Sequence, residues 1–438
     1  MKKRWTTIWS AVVAAGSCAI TGVVTALSVV LYKWCAHRAV TAAEKGYHLL
    51  REHWWCLPIL LATLATLAAG LAWVYRREPS VCGGGIPTAI AAVRGQATLR
   101  RWVTPLGVFA LSLLSFLLGV PLGTEGPSVL IGSAIGGMMW LGKRDDARSR
   151  YAMSGGASAG FAVATGAPLA GVLFALEETH RRVTLKIVAA VGITVGCAAL
   201  INAAISPLLG VNVALFSPLS LKPLAWHEYW LPLAVGAAVG LLSVGYLWYN
   251  RAIRCVTQLL NNRIPSAWRI WLVLAVTAVT GCFCFSAVSS GHELTAALLR
   301  EGAPLWWLAM LLVLRTTLTL SANANGVTGG MFLPQIAIGA VFAAILGGLA
   351  ARLPILGADY YTIVLVLGIA AAVAGLMRLP FTAMLFGVEV LTGWGYLLPV
   401  VIAAATAAVI VKLGGIPSVT DCVLARYETE AAKNAVDS

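Results

Sequence analysis

Runs of about 20 apolar residues recur along this chain, each long enough, or nearly so, to cross the hydrocarbon layer of a bilayer. The clearest are Ile8–Leu31, Cys56–Val74, Val103–Leu122, Tyr229–Tyr249, Ile270–Ser286 and Trp394–Val411. A membrane β-barrel would instead show short segments of alternating polarity. The pattern therefore specifies an all-α polytopic membrane protein. Of the 438 residues, 59% are hydrophobic and 11% charged, where a soluble protein carries about 25% charge.

The formal net charge is +14, but its placement argues against nucleic-acid binding. Basic residues sit in short clusters between apolar runs: Lys2-Lys3-Arg4, Arg76-Arg77, Arg100-Arg101, Lys143-Arg144 with Arg148 and Arg150, Arg181-Arg182, and Arg251 with Arg254. That is how cytoplasmic loops look under the positive-inside rule, and it places the N-terminus in the cytoplasm. The first apolar segment is too long for a typical signal-peptide core and lacks an obvious small-residue cleavage site, so it reads as the first membrane helix. Nine cysteines are scattered, with Cys18, Cys56, Cys197, Cys282 and Cys284 in apolar runs. No pair has a metal or redox spacing, and they read as buried thiols. His180 follows a Glu-Glu pair and reads as a solvated loop residue rather than a ligand. No metal or cofactor is expected.

Several apolar segments are short or broken by glycine and proline: Val81–Pro87, Gly123–Gly136, Ser154–Glu178, Ser321–Gly339 and Leu376–Gly393. Irregular backbone at membrane depth survives only where protein buries it or a cavity lines it. Matching breaks in two halves point to a transport site. Gly166-Ala-Pro-Leu-Ala-Gly-Val-Leu-Phe-Ala-Leu-Glu177 is similar to Arg378-Leu-Pro-Phe-Thr-Ala-Met-Leu-Phe-Gly-Val-Glu389, pairing Pro168 with Pro380 and Glu177 with Glu389. Upstream, Gly126–Gly136 aligns with Gly329–Gly339 at an offset of 203 (329 less 126), which sets Thr328 at the position of Glu125. The expected organisation is one membrane transport domain over 1–438. Its halves run from about 56–205 and 228–426, and 427–438 form a short charged tail.

Gly123-Thr-Glu-Gly-Pro127 carries the sharpest functional signal. It sets a lone carboxylate, Glu125, between two glycines in an apolar chain. A carboxylate at membrane depth costs roughly 2.5–3.5 kcal/mol or more, which makes it a functional candidate. Pro127 suits a first helical turn, where no amide hydrogen is needed. Free amides and the positive end of the helix dipole make such a turn an anion site. A carboxylate beside that site suggests a gate that competes with the anion.

Four segments, in order, resemble the CLC family of chloride channels and proton-coupled chloride antiporters. Gly83-Gly-Gly-Ile-Pro87 is similar to the family's Gly-Ser-Gly-Ile-Pro loop, and Gly123-Thr-Glu-Gly-Pro127 to its Gly-Arg-Glu-Gly-Pro gate. Ala167–Phe174 with Glu177-Glu178 resembles the long helix ending in paired glutamates, and Gly329-Gly-Met-Phe-Leu-Pro334 resembles Gly-Gly-Ile-Phe-Ala-Pro. The resemblance implies two inverted, repeated halves with broken and re-entrant helices, about 10–18 helices in all. It implies that Glu125 is the external gating glutamate, Glu178 the internal proton-transfer glutamate and Glu177 its structural neighbour. It implies that Gly84, Gly85, Ile86, Pro87, Gly126, Met331, Phe332 and Thr420 bind the anion, chiefly through backbone donors, which hold a halide without trapping it. Chloride would be the transported ion and protons the coupling ion. A homodimer with one pathway per subunit is implied as well.

The departures from the family pattern bear on mechanism. Gly84 stands where the family has its central serine, and Thr124 where it has arginine. The central tyrosine, expected about three residues after Pro417, is replaced by Val419 or Thr420, and the next tyrosine is Tyr427. A neutral donor contributes roughly 0.5–1.5 kcal/mol net, so weaker anion binding and loose or absent proton coupling are expected. Chloride/proton exchange gated by Glu125 is the leading expectation. The alternative is an uncoupled chloride or mixed-anion channel of the same fold. Fluoride export is disfavoured by the presence of Glu178. An enzyme is disfavoured because no nucleophile elbow, metal-ligand set or phosphate loop occurs. A bacterial inner membrane is the expected location.

Overall fold

The computed structural model describes residues 2–140, 147–180, 183–261, 263–352, 357 and 359–436. Lys143, Arg144, Arg181 and Arg182 of the basic clusters lie outside them. Among the described residues the chain forms 17 α-helices, and its one isolated β-bridge joins Gly123 and Gly330. The helices are α1 (Lys2–Glu52), α2 (Leu57–Arg77), α3 (Ile86–Val93), α4 (Val103–Leu117), α5 (Glu125–Met139), α6 (Ala147–Thr165), α7 (Pro168–Phe174), α8 (Leu185–Ile205) and α9 (Trp230–Asn261). They continue as α10 (Ser266–Phe283), α11 (His292–Leu298), α12 (Leu305–Ala324), α13 (Phe332–Ala350), α14 (Tyr360–Leu376), α15 (Pro380–Phe386), α16 (Leu397–Leu413) and α17 (Val419–Val436).

Among the described residues, eight helical spans are long and apolar enough to cross a membrane. Three of them, Leu185–Leu209, Leu305–Ala324 and Phe332–Ala350, read less clearly in the sequence than the other five. The first is rich in alanine and glycine, Arg315 interrupts the second, and glycine and proline dilute the third. The run expected over Val103–Leu122 stops at Leu117, because the chain turns at Gly119 with φ 71°. At 1.5 Å per residue α1 is about 75 Å long, far more than the bilayer core requires.

Local composition explains the packing. Gly132 and Gly136 of α5 face Gly156 and Ala152 of α6, and a Cβ at Gly132 would lie 2.1 Å from the Gly156 carbonyl oxygen. Small residues four apart let the two backbones touch, the usual way helices associate without a hydrophobic driving force. α14 is apolar on every side, and its residues from Ile363 to Leu376 are all buried, as an all-round hydrophobic helix must be. Arg315 is fully buried in α12, and its guanidinium donates to the carbonyls of Ser286, Val288 and Ser289 at 2.7–3.0 Å. A buried cation persists only with such partners. It pins the loop that leads into α11.

The two halves repeat in detail. α7 and α15 each begin with proline, run seven residues and continue into a six-residue π-helical turn, Ala175–His180 and Gly387–Thr392. The upstream register differs from the sequence expectation. Gly123 pairs with Gly330 by two reciprocal backbone bonds of 2.7 Å, an offset of 207 (330 less 123). In that register Pro127 matches Pro334, Gly132 matches Gly339, and Glu125 matches Phe332, the first residue of α13. Thr328 is therefore not the counterpart of Glu125. It is buried in the preceding loop, where its hydroxyl bonds Val81 and Tyr75. Glycine-rich stretches align in more than one register by sequence, and the backbone pairing selects between them. Of the five cysteines placed in apolar runs, only Cys18 is buried; Cys56, Cys197, Cys282 and Cys284 are half-buried.

Candidate functional site

Three helices begin on the wall of one small interior cavity of ≈ 40 Å³. Ile86 and Pro87 open α3, Phe332 opens α13, and Val419 and Thr420 open α17. The first amides of a helix lack intrahelical partners, and its dipole is positive at that end. The cavity therefore collects partial positive charge from main chain alone, a setting suited to an anion. Gly84, Glu178, Asn323, Met331, Gln335 and Ser418 complete much of the lining.

Glu125 opens a fourth helix, α5, and is fully buried. Its Oε2 accepts a hydrogen bond from the Leu333 amide at 3.3 Å, and its Oε1 accepts from the Thr124 hydroxyl at 3.2 Å. Leu333 and Thr124 also border a second cavity of ≈ 140 Å³, lined by Lys33, His37, Ser290, His292 and Glu293. The neighbours of Leu333 in the chain, Met331 and Phe332, border the smaller one. The carboxylate thus binds an α13 amide that an anion could otherwise take, in a stretch whose residues border both the larger cavity, here named the outer chamber, and the smaller one, the inner chamber. Thr124 therefore has a visible role as a partner of the gate candidate.

Glycines bring these loops together. A Cβ at Gly126 would lie 1.9 Å from the Gly84 oxygen, and one at Gly85 would lie 2.4 Å from the Gly126 oxygen. Gly85 also has φ +77°, which favours glycine. The α3 and α5 loops consequently touch main chain to main chain. Gly85 and Gly126 pack behind the inner chamber, whereas Gly84, Ile86, Pro87, Met331, Phe332 and Thr420 line it. Phe332 also belongs to an aromatic cluster, edge-on to Phe161 and Phe386 with ring centroids 4.9 and 5.5 Å apart.

Glu178 is buried in the π-helical turn after α7 and borders the same chamber. Its carbonyl accepts from Arg94 Nη2 at 2.9 Å. Its neighbour Glu177 turns away and binds amides of α15. His180 is half-buried and edge-on to Tyr151, not a solvated loop residue. Both Val419 and Thr420 line the chamber, at the place where the family resemblance implies a tyrosine. The Tyr427 hydroxyl instead pairs with Thr88 Oγ1 at 3.1 Å, over a separate hollow. Among the described residues no cluster of three or more metal-ligating side chains forms.

Sequence reasoning missed Asn323, Leu333, Lys33 and Arg254. Leu333 acts through its backbone, which no side-chain pattern reveals. Lys33 donates to the Val163 and Asn212 carbonyls at 3.0 and 2.9 Å, tying α1 to the outer chamber from over a hundred residues away.

The sequence model of one protein family, described as voltage gated chloride channel, matches residues 65–412. Among solved structures, a slow cyanobacterial Cl-/H+ antiporter superposes with a TM-score of 0.83 at 21% identity, covering 96% of this chain and 98% of that one. A CLC-type fluoride/proton antiporter gives a TM-score of 0.75 at 18% identity over 92% of this chain and 96% of that one. A eukaryotic CLC transporter gives 0.73 at 18% identity over 96% and 75%. At these identities the superpositions speak for the fold.

Proposed function

Because this chain belongs to the voltage gated chloride channel family, we propose that it moves chloride across a membrane in exchange for protons, with Glu125 as the gate. The observation that carries the reading is the seat of Glu125. Its carboxylate is fully buried and held by the Leu333 amide; Leu333 borders one chamber, and Met331 and Phe332 border the other. Ionised, it occupies an anion's place at the start of α13; protonated, it loses its attraction for the helix terminus and admits the anion. Chloride then passes between the outer chamber and the inner one, where main-chain donors of α13 and α17 hold it. Lys33 brings a cationic group to the outer chamber and favours anion entry.

Glu178 is the proton donor and acceptor on the inner side. It is the carboxylate on the inner-chamber wall, and protons travel between it and Glu125 along the same chamber. Gly84, Gly85, Ile86, Pro87, Gly126, Met331, Phe332 and Thr420 form or support the anion path. The transport unit spans the whole chain, with halves at about 56–205 and 228–426, and works as a homodimer in a bacterial inner membrane with its basic loops in the cytoplasm. The dimer and the location rest on the family resemblance. No cofactor enters the cycle.

A second reading keeps the path and drops the exchange. No tyrosine closes the inner chamber beside Val419 and Thr420, so anions leaving it meet a smaller barrier, which favours uncoupled flux. Chloride and proton flux measured together from proteoliposomes decides between the two. Protons driven uphill by a chloride gradient establish exchange. Chloride efflux without linked proton movement establishes the channel, and no chloride flux at all refutes both.

A further inference from the structure

Gly84 lacks the hydroxyl that a serine would bring to the inner chamber, yet the spot is not apolar. A Cβ built on Gly84 has Asn323 Nδ2 as its nearest neighbour, at 3.6 Å, followed by the Gly329 oxygen at 3.8 Å and Met331 Cγ at 3.9 Å. Asn323 sits in the last turn of α12, and its side chain shares the chamber wall with Gly84 and Met331.

The direction of this amide is fixed by its other partner. Arg254 Nη2 donates to Asn323 Oδ1 at 3.0 Å. A guanidinium has donors only, so the amide must turn its oxygen toward Arg254, which leaves the NH2 group facing Gly84. Arg254 is itself held, with Nε donating to Asn250 Oδ1 one turn earlier on α9 at 3.2 Å, and it is buried. Among the described residues no carboxylate lines the cavity on the far side of Asn323, where Arg254, Arg269 and Arg426 gather. The charge of Arg254 is therefore not cancelled there, and it polarises the amide it binds.

We infer that Asn323 supplies the anion-site donor that Gly84 cannot, and that Arg254 is the positioning residue that aims it. The inference rests on reading the Gly84 loop as an anion site. The arrangement presents a neutral, donor-only group to a small anion and keeps the full cation one residue back, so the ion is bound without being trapped. A chain that loses its serine hydroxyl in this way retains a side-chain donor at the same place, delivered from a different helix.

The test is calorimetric titration of the purified full-length protein with potassium chloride, paired with chloride efflux from proteoliposomes. Asn323→Ala should weaken chloride binding about tenfold, the scale of one hydrogen bond to a charged group. Adding Gly84→Ser to Asn323→Ala should recover most of the loss, because a serine Cβ meets only ordinary contacts at 3.6–3.9 Å. A purely structural role for Asn323 would not be rescued in this way. Asn323→Asp keeps the Arg254 contact, and so the fold, while turning an acceptor toward the anion; it should bind more weakly than Asn323→Ala. If Asn323→Ala and Asn323→Asp both bind chloride as the unaltered protein does, the inference falls and the transport reading stands. If the unaltered protein neither binds nor releases chloride, the transport reading falls first.

Discussion

Glu177 and Glu389 each close a helix of one half by binding the first amides of the matching helix in the other half. Glu177 accepts from the amides of Phe381 and Thr382 at 3.1 and 2.8 Å and from the Thr382 hydroxyl at 2.7 Å. Glu389 accepts from Leu169 and Ala170 at 2.9 and 2.8 Å. Carboxylates satisfy orphan helix amides and complement the dipole there. The exchange is mutual, so it ties α7 to α15 across the pseudo-twofold.

Removing either carboxylate should loosen the pair. Glu177→Ala strips three acceptor contacts and should destabilise the protein by about 1–3 kcal/mol, with Glu177→Gln costing less because one acceptor oxygen survives. Thermal unfolding in detergent checks the order. Equal melting temperatures for all three proteins would deny the carboxylates a structural part.

Glu125→Gln should mimic the protonated gate. Anion flux is expected to persist while linked proton movement drops to background and flux loses its pH dependence. Parallel chloride and pH recordings from proteoliposomes read all three. Unchanged coupling in this variant would remove Glu125 from the gate.

Glu178→Gln should abolish proton movement and spare chloride flux, since the amide keeps the shape of the chamber wall and cannot carry a proton. The same recordings serve. Equal loss of both fluxes in a folded protein would assign the residue to structure.

Gly126→Ala should be far worse than Gly84→Ala, although the two glycines are in contact. At Gly126 the new methyl meets backbone at 1.9 and 2.7 Å, and backbone cannot step aside. A cost of about 3 kcal/mol or more is expected, seen as lost monodisperse protein in detergent. At Gly84 the nearest atom is 3.6 Å away, and a change within about 0.5 kcal/mol is expected.

His292 should give stability a pH dependence. Burial disfavours its charged ring, but the hydrogen bond and charge of Glu293, the Leu215 carbonyl and the charge of Glu125 outweigh that and raise it above its ordinary 6.5. A histidine raised in the folded state stabilises fully below 6.5, and the contribution fades as pH climbs through the raised value. Glu293 is largely exposed, so about 0.5 kcal/mol is at stake. Melting temperature followed from below 6.5 upward should fall slightly in the unaltered protein and stay flatter in His292→Gln.

Much of this architecture is legible in the chain. Pro168 and Pro380 mark real helix starts, the broken segments mark the chambers, and Glu125 is buried where a lone carboxylate between glycines implied. What eluded the sequence was contact at a distance. The 203 register put Thr328 opposite Glu125 because glycine matches glycine in several alignments, and only the Gly123–Gly330 pairing selects 207. That Gly84 offers no hydroxyl is visible in the chain, but the role of Asn323 is not. Its amide reaches the site from another helix, and nothing in the spacing of Gly83–Pro87 indicates it. Glu177 and Glu389 could be matched as repeats, yet that each binds the other half's helix requires coordinates.

The Gly123–Gly330 clasp has an evolutionary consequence. It joins the starts of α5 and α13 through peptide groups alone, so its two hydrogen bonds depend on no side chain's identity, although the glycines around it leave no room for a larger residue. Thr124, Gly84, Val419 and Thr420 take no part in those two bonds, so replacing them leaves the clasp's own hydrogen bonds in place. On the transport reading proposed above, exchanging single residues around the clasp changes what is carried without first refolding the pore.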